Sequence, residues 1–365
     1  MRFVLATFVL LSIQVIEVSA HPQTGIVVDR AGNVYYSDLE TVWKIDLKGQ
    51  RSVFREGVRG RHVHELSIDA HDNIYGADIS YELSTERWIS DVWKMSLSGK
   101  LTYLIEPTTN PPRGASMWLD RHGNMYRVDQ NNHLKEETLL LRRTPEGVVT
   151  VLAGGAYGQA DGKGTAARFS SVGGMFLSAD DSIYLTDGTS VRKVASDGTV
   201  TTLARGLDFK TPEDDPRLFA SGGGLAGLTV DSEQNVYVAD AGRRRLLKID
   251  RQGQVSVVLR NEPPYFPNGV AAVGGSLYVL EVGLTLPNAS SPARVRKITS
   301  DGKSTIQASS GEAKDISLAT RAGVTAERAL AFLIDNWFPK LIGVAVIFFF
   351  SIIWLRVRRQ RQGEA

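Results

Sequence analysis

The stretch AGLTVDSEQNVYVADAGRRRLLKIDRQGQVSVVL, residues 226–259, decides the fold. Leu228 to Val230 is a short apolar run, Asp231 to Asn235 is turn chemistry, and Val236 to Ala239 is rich in β-formers. Leu246 to Ile249 makes a further strand, Arg251-Gln252-Gly253 turns, and Val255 to Leu259 closes the unit. Four short strands separated by Gly, Asp and Asn turns, with no helical period, make one all-β repeat.

Its internal marks recur along the chain. An apolar residue followed by tyrosine and, three residues later, a carboxylate occurs at Tyr35/Asp38, Tyr75/Asp78, Tyr126/Asp129, Tyr184/Asp187, Tyr237/Asp240 and Tyr278/Glu281. After each, a basic residue precedes a glycine by five positions: Lys44/Gly49, Lys94/Gly99, Arg142/Gly147, Lys193/Gly198, Lys248/Gly253 and Lys297/Gly302. A period of about 40–50 residues denotes a repeat architecture, and four strands per repeat is the blade of a propeller. The expectation is a six-bladed β-propeller of four-stranded antiparallel blades over residues 21–308.

The segment 152–203 (LAGGAYGQADGKGTAARFSSVGGMFLSADDSIYLTDGTSVRKVASDGTVTTL) resembles NHL repeats joined by a Gly-rich connection, and 226–259 is similar again. The other four units fit more loosely, so the resemblance covers about Thr24 to Ile306. It implies an NHL-type propeller. Such propellers include binding modules, lyases, lactonase-like hydrolases and sensor domains, so it implies no single activity.

The two ends are different material. Residues 1–20 carry Arg2, an apolar stretch from Phe3 to Val15 and small residues at Val18-Ser19-Ala20, which reads as a secretory signal peptide rather than a first strand. Leu341 to Leu355 holds no charge and is bracketed by Lys340 and Arg356, with Trp337, Phe338 and Trp354 as interfacial aromatics. This predicts a linker over 309–324, a juxtamembrane helix over 325–338, a single transmembrane helix over 339–357 and a tail over 358–365. Arg356, Arg358, Arg359 and Arg361 keep that tail cytoplasmic by the positive-inside bias. The propeller then lies outside, periplasmic or extracellular, tethered to the cell membrane. So short a tail excludes a self-contained receptor kinase.

Cysteine is absent, so packing and strand pairing alone must hold an exported domain. The formal net charge is +2, but Arg2 and the last ten residues, 356–365 (four Arg, one Glu), hold +4, leaving about −2 on the rest. That balance offers no electrostatic case for nucleic acid. The one dense basic run, Arg243-Arg244-Arg245, reads as a solvated loop.

Function is expected where the repeat is broken. From tyrosine to later glycine the spacing is 14, 24, 21, 14, 16 and 24 residues, and the extra length falls between the second and third strands. In an antiparallel blade that loop shares a face with the connections between blades, several of which are also long, whereas the turns Asp29–Asn33 and Asp46–Gly49 on the other face are tight. Loops raised on a rigid scaffold are where binding and catalytic groups sit.

First strands of the blades line the central channel. Aligning the six units puts Thr24-Gly25, His64-Glu65, Ala115-Ser116, Gly173-Gly174, Ala226-Gly227 and Asn268-Gly269 at its mouth. Of these only His64, Glu65, Ser116 and Asn268 bear functional side chains. Histidine, glutamate and an amide oxygen could hold Ca²⁺ or another divalent cation, which would polarise a carbonyl or activate water; otherwise they are ordinary loop polars. Phe266-Pro-Asn-Gly-Val270 followed by Leu277-Tyr-Val-Leu-Glu281 is similar to a phrase of the regucalcin and gluconolactonase family and of strictosidine synthase-like proteins. In the first of these the asparagine is a metal ligand, which implicates Asn268, with Glu65 replacing the family's early glutamate. The family's acid from a following blade has no counterpart.

The six recurrent acids read as scaffold, because a residue needed in every blade meets one local need: a turn N–H to bind. The tyrosines are expected to pack between neighbouring blades. No serine-nucleophile elbow, CxxC, HExxH, phosphate-binding loop or EF-hand is present.

Two functions follow. One is a binding module for an extracytoplasmic protein, peptide, glycan or small molecule, with Ser116, Trp88, Tyr157, Tyr265 and Phe266 on the long-loop face, and Tyr81 and Phe209 beside them. The alternative is a metal-dependent lactonase, hydrolase or lyase of the gluconolactonase-like type. Asn288-Ala-Ser290 is a glycosylation sequon.

Overall fold

The computed structural model describes residues 25–58, 60–82, 87–109, 117–130, 136–211, 224–283 and 292–309. It is a six-bladed all-β propeller, each blade an antiparallel sheet whose strands pair in sequence order. Blade 5, for example, consists of Leu225–Val230, Val236–Asp240, Arg245–Ile249 and Val255–Arg260. The first strands touch their neighbours in ring order, and Ile26–Val28 of blade 1 closes against Tyr265–Val273 of blade 6. Among the described residues no strand is exchanged at the closure. Blade 1 is wholly N-terminal, blade 6 wholly C-terminal, and Arg51 Nη1 donates to the Ser309 carbonyl across the seam at 2.6 Å.

The expected signal peptide, juxtamembrane helix, membrane span and tail lie outside the described residues. Among the described residues no helix is long and apolar enough to cross a membrane. Blade 4 differs from the four-strand expectation. Its connection from blade 3 contributes a short fifth strand, Gly162–Lys163, on the outer edge. Arg192 holds that connection down, donating from Nη2 to the Ala160 carbonyl (2.7 Å) and to Asp161 (2.8 Å).

Both repeated phrases acquire a physical cause. In all six blades the tyrosine of the second strand and the basic residue of the third are direct cross-strand partners: Tyr35/Lys44, Tyr75/Lys94, Tyr126/Arg142, Tyr184/Lys193, Tyr237/Lys248 and Tyr278/Lys297. Five of these lysines lie over the tyrosine ring, from 5.3 Å for Lys193 to 5.8 Å for Lys248. The glycine five residues on closes the next turn at positive φ, between 78° and 93° in every blade, a conformation that costs any other residue.

The tyrosines do more than pack. Tyr35, Tyr75, Tyr126 and Tyr237 donate their hydroxyls to Asp29, Asp69, Asp120 and Asp231, each six residues earlier in the first turn. Burial, together with the adjacent carboxylate, pushes Tyr126 and Tyr237 up to about 12, so they stay donors. Burial alone would raise Asp69 and Asp120. Hydrogen bonds from Asn73 and Tyr75, and from Asn124 and Tyr126, outweigh it and hold both carboxyls below their ordinary value.

A depressed folded pKa contributes stability that is complete above the unfolded value, about 3.9, and is lost as pH falls through the folded value. Urea midpoints measured from about pH 6 down to pH 3 should therefore stay level and then drop, with a shallower drop in Asp69→Asn. An equal drop in that variant would show that the first-turn acids do not carry the effect.

Candidate functional site at the channel mouth

The residues aligned as channel-mouth positions coincide with a break in strand pairing. In blade 2, Val63 pairs with Asp78 and Leu66 with Gly76, so His64 and Glu65 together face the single residue Ala77. Gly173-Gly174 face Thr186 and Ala226-Gly227 face Ala239 in the same way, and Asn268 is the extra residue between Pro267 and Gly269. These are β-bulges, which bend a strand and re-aim its side chains. Each lies next to the recurrent acid of the second strand.

The bulges also join the blades. Ser37 Oγ donates to the Val63 carbonyl at 2.9 Å, and Thr186 Oγ1 to the Ala226 carbonyl at 3.1 Å while accepting from Gly174 N at 2.8 Å. The glycines are required by this packing. A Cβ on Gly173 would stand 2.3 Å from the Leu225 carbonyl oxygen, and one on Gly174 2.6 Å from that of Ala226.

The mouth is therefore lopsided. Blades 4 and 5 bring backbone, glycine and alanine; blades 2 and 6 bring His64, Glu65 and Asn268, which are 5%, 6% and 0% exposed. Blade 1 lies between the two polar blades with Gly25 at the matching place. The His62 and His64 rings meet edge-on, centroids 5.9 Å apart. Ser116 lies outside the described residues.

The aromatics expected on the long-loop face divide. The blade 2 insertion extends the hairpin Ile74–Glu82 and Arg87–Met95, pairing Tyr81 with Trp88 near its end. Their rings stack edge-to-face at 5.1 Å, and Trp88 is 54% exposed. Tyr157 and Phe209 are also exposed. Tyr265 is buried beneath Arg294, whose guanidinium carbon is 3.6 Å from the ring centroid, and Phe266 packs on Ala226, Ala239 and Ala241. Tyr265 therefore supports the blade, while Phe266 is half-buried.

The recurrent acids are scaffold, but their partners exceed turn N–H groups. Asp38 accepts from Thr41 N and Asp240 from Arg243 N, as a turn acid would. Beyond that, Asp38 accepts the Trp43 indole (2.7 Å) and Asp78 the Trp93 indole (2.8 Å). Asp187 binds Arg192 at 2.8 Å, Asp240 binds Arg245 at 2.8 Å, and Glu281 binds both Arg294 and Arg296. Arg243-Arg244-Arg245 is consequently not a solvated loop. Arg245 is 0% exposed and also donates to the carbonyls of Leu207 (3.0 Å) and Phe209 (2.9 Å), while buried Arg244 donates to that of Tyr265 (2.7 Å). A signal for this was present: acid and arginine five residues apart across a short hairpin become cross-strand neighbours, and Asp240 pairs with Arg245 in register.

A resident divalent cation would need about six oxygens for calcium, or three protein ligands for a catalytic zinc. Glu65, His64 and Asn268 supply one carboxylate, one imidazole and one amide. The nearby acids Asp78, Asp187, Asp240 and Glu281 are engaged by arginine or tryptophan. Among the described residues no group of three or more His, Cys, Asp or Glu is placed to hold a metal. Glu65, His64 and Asn268 alone fall short of the oxygen count of a calcium site.

Below the bulges the channel contains a cavity of about 500 Å³ lined by first-strand residues of all six blades, with Glu65 at its inner level and the first turns of blades 2, 3 and 4 at its rim.

No protein-family model matches the chain, and no curated protein matches it in sequence, so the NHL repeat itself is not shown. Solved structures of similar shape include a streptogramin B lyase, with 15% identity over 81% of this chain and 87% of that one and a TM-score of 0.47. A gluconolactonase from Xanthomonas campestris shares 13% identity over 71% of this chain and 83% of its own, with a TM-score of 0.47. A calcium-binding regucalcin from Agrobacterium tumefaciens shares 15% over 71% and 82%, with a TM-score of 0.44. At these values the strand pairing of this chain, rather than any neighbour, carries the assignment of a six-bladed propeller.

Proposed function

We propose that this propeller acts on a small lactone, ester or related carbonyl compound at its channel mouth, as a hydrolase or lyase. One observation carries the reading. Four inner strands bulge at the same place, and blades 4 and 5 do so with only glycine and alanine. The bulge itself therefore does not require His64, Glu65 or Asn268, and these three buried polar side chains are departures from the repeat. In this reading Asn268 donates its amide N–H to the substrate carbonyl oxygen. His64 takes or delivers the proton, and Glu65 sets the charge of the pocket.

His64→Ala and Asn268→Ala should each lower kcat/KM on a panel of lactones and esters by about 10²-fold or more, with circular dichroism unchanged. Absence of turnover across the panel by the unsubstituted protein would sink the proposal. Elemental analysis of the purified protein separates a metal-assisted version, in which a cation is retained in stoichiometric amount, from a metal-free one.

A second reading is a membrane-tethered module whose long-loop face takes an extracytoplasmic protein, peptide or glycan. The exposed Tyr81–Trp88 pair favours it, since exposed aromatics anchor recognition. Trp88→Ala would then abolish partner binding in a protein that turns nothing over.

A further inference from the structure

The exposed apolar side chains sort by type between the two faces of the ring. On the tight-turn face Leu47, Leu97 and Val148 sit singly in turns between third and fourth strands. The aromatics are elsewhere. Among the described residues the exposed ones are Tyr81, Trp88, Tyr157 and Phe209, and all four lie on the long-loop face. Tyr81 and Trp88 stand near the end of the blade 2 hairpin, Tyr157 in the connection from blade 3 to blade 4, and Phe209 in that from blade 4 to blade 5.

Two observations bear on what meets them. The first is their spread. Hot spots for a protein partner cluster near the centre of the contact, whereas these aromatics run from blade 2 round to the entry of blade 5. A broad planar surface touches all of them at once. The second is where the chain leaves. The fourth strand of each blade runs from a tight turn back to the long-loop face, so Ser304–Ser309 delivers the chain to this face, and the uncharged run Leu341 to Leu355 follows in the sequence.

Charge narrows the choice of surface. Arg87 pairs across its hairpin with Glu82, and exposed Asp208 and Lys210 flank Phe209, so both signs stand beside the aromatics. Such a mixture has no one-signed field to select anionic lipid. Tyrosine and tryptophan, apolar in body and polar at the tip, suit the headgroup level of a bilayer.

We propose that the long-loop face rests on a lipid bilayer, with Tyr81, Trp88, Tyr157 and Phe209 entering the headgroup region of zwitterionic lipid. The channel mouth then opens toward the membrane surface. The contact involves no turnover, so it stands or falls apart from the reaction proposed at that mouth.

The chain has no cysteine, so one introduced thiol takes a spin label at a single place. The full chain labelled through Arg87→Cys or Lys210→Cys is reconstituted with phosphatidylcholine vesicles. Its label should collide with oxygen, relative to a water-soluble nickel chelate, severalfold more often than one carried at Leu47→Cys or Leu97→Cys on the opposite face. Added salt should leave the difference unchanged, because aromatic burial rather than charge holds the face down. Tyr81→Ser together with Trp88→Ser should bring the label at position 87 back to the values of the opposite face. Labels at 87 and 210 as open to the chelate as those at 47 and 97 would overturn the inference, and so would failure of the chain to associate with the vesicles. Shielding from oxygen and chelate alike, the mark of a protein partner or a second copy, would overturn it too. Should the double substitution disturb the hairpin, the comparison of the four single labels still decides the matter.

Discussion

Arg245→Ala should cost about 3–5 kcal/mol of stability, read as a lowered urea midpoint, because it leaves a buried carboxylate without its counter-ion. Arg245 and Asp240 are 0% and 2% exposed and meet at 2.8 Å. The same guanidinium donates to the carbonyls of Leu207 and Phe209 and covers the Phe209 ring at 4.3 Å, so its loss also loosens the connection into blade 5. Burial already pushes the Asp240 carboxyl up even though Arg245 opposes it. Without the arginine the folded value rises further, so the variant should regain part of its deficit as pH falls and Asp240 takes a proton. Asp240→Asn in the Arg245→Ala background should restore stability at neutral pH. A deficit that neither acid nor the second substitution relieves would mean that lost packing, not the stranded charge, is responsible.

Trp93→Ala should be about as damaging, roughly 3–5 kcal/mol, through the cavity left by a fully buried indole. Trp93 packs onto Gly76 so closely that a Cβ there would stand 2.2 Å from its ring. The Arg55 guanidinium lies 4.4 Å from the ring centroid, and the indole N–H binds Asp78. Trp93→Phe keeps much of the volume and loses only the hydrogen bond and part of the ring, so it should cost well under half as much. Gly76→Ala should mimic the larger loss from the other side by displacing the indole. If Trp93→Phe proved as costly as Trp93→Ala, the hydrogen bond to Asp78 would outweigh the packing.

Nearly all of the scaffold was legible in the chain because it is local and repeated. The four strands of 226–259 lie within a few residues of where the turns at Asp231–Asn235 and Arg251–Gly253 place them. The Tyr–Lys pairing and the positive-φ glycine recur because each blade solves the same hairpin geometry. What hid the partners of the acids was insertion: the indole for Asp38 is five residues on, at Trp43, while that for Asp78 is fifteen residues on, at Trp93, displaced by the longer hairpin. In Arg243-Arg244-Arg245, loop position and charge suggested solvent. The connection from blade 4 folds over Arg245, and only a long-range contact could reveal that.

The candidate site was legible in part. His64, Glu65 and Asn268 were identifiable as departures from the repeat, since alignment of six units needs no coordinates. That they occupy bulges, that blades 4 and 5 provide an internal control made of glycine, and that Tyr265 is buried all depend on how one inner strand lies against the next.

The amino-acid sequence by itself determined the blade, its sixfold repetition and which residues break the pattern, because period, turn chemistry and cross-strand pairing act over a few residues. Only the tertiary structure decided which charges are buried, which residues near the bulges could serve as ligands, and that first-strand residues of all six blades line one cavity. Those properties belong to the closed ring, in which residues from all six blades meet around one axis although they lie up to the full length of the propeller apart along the chain.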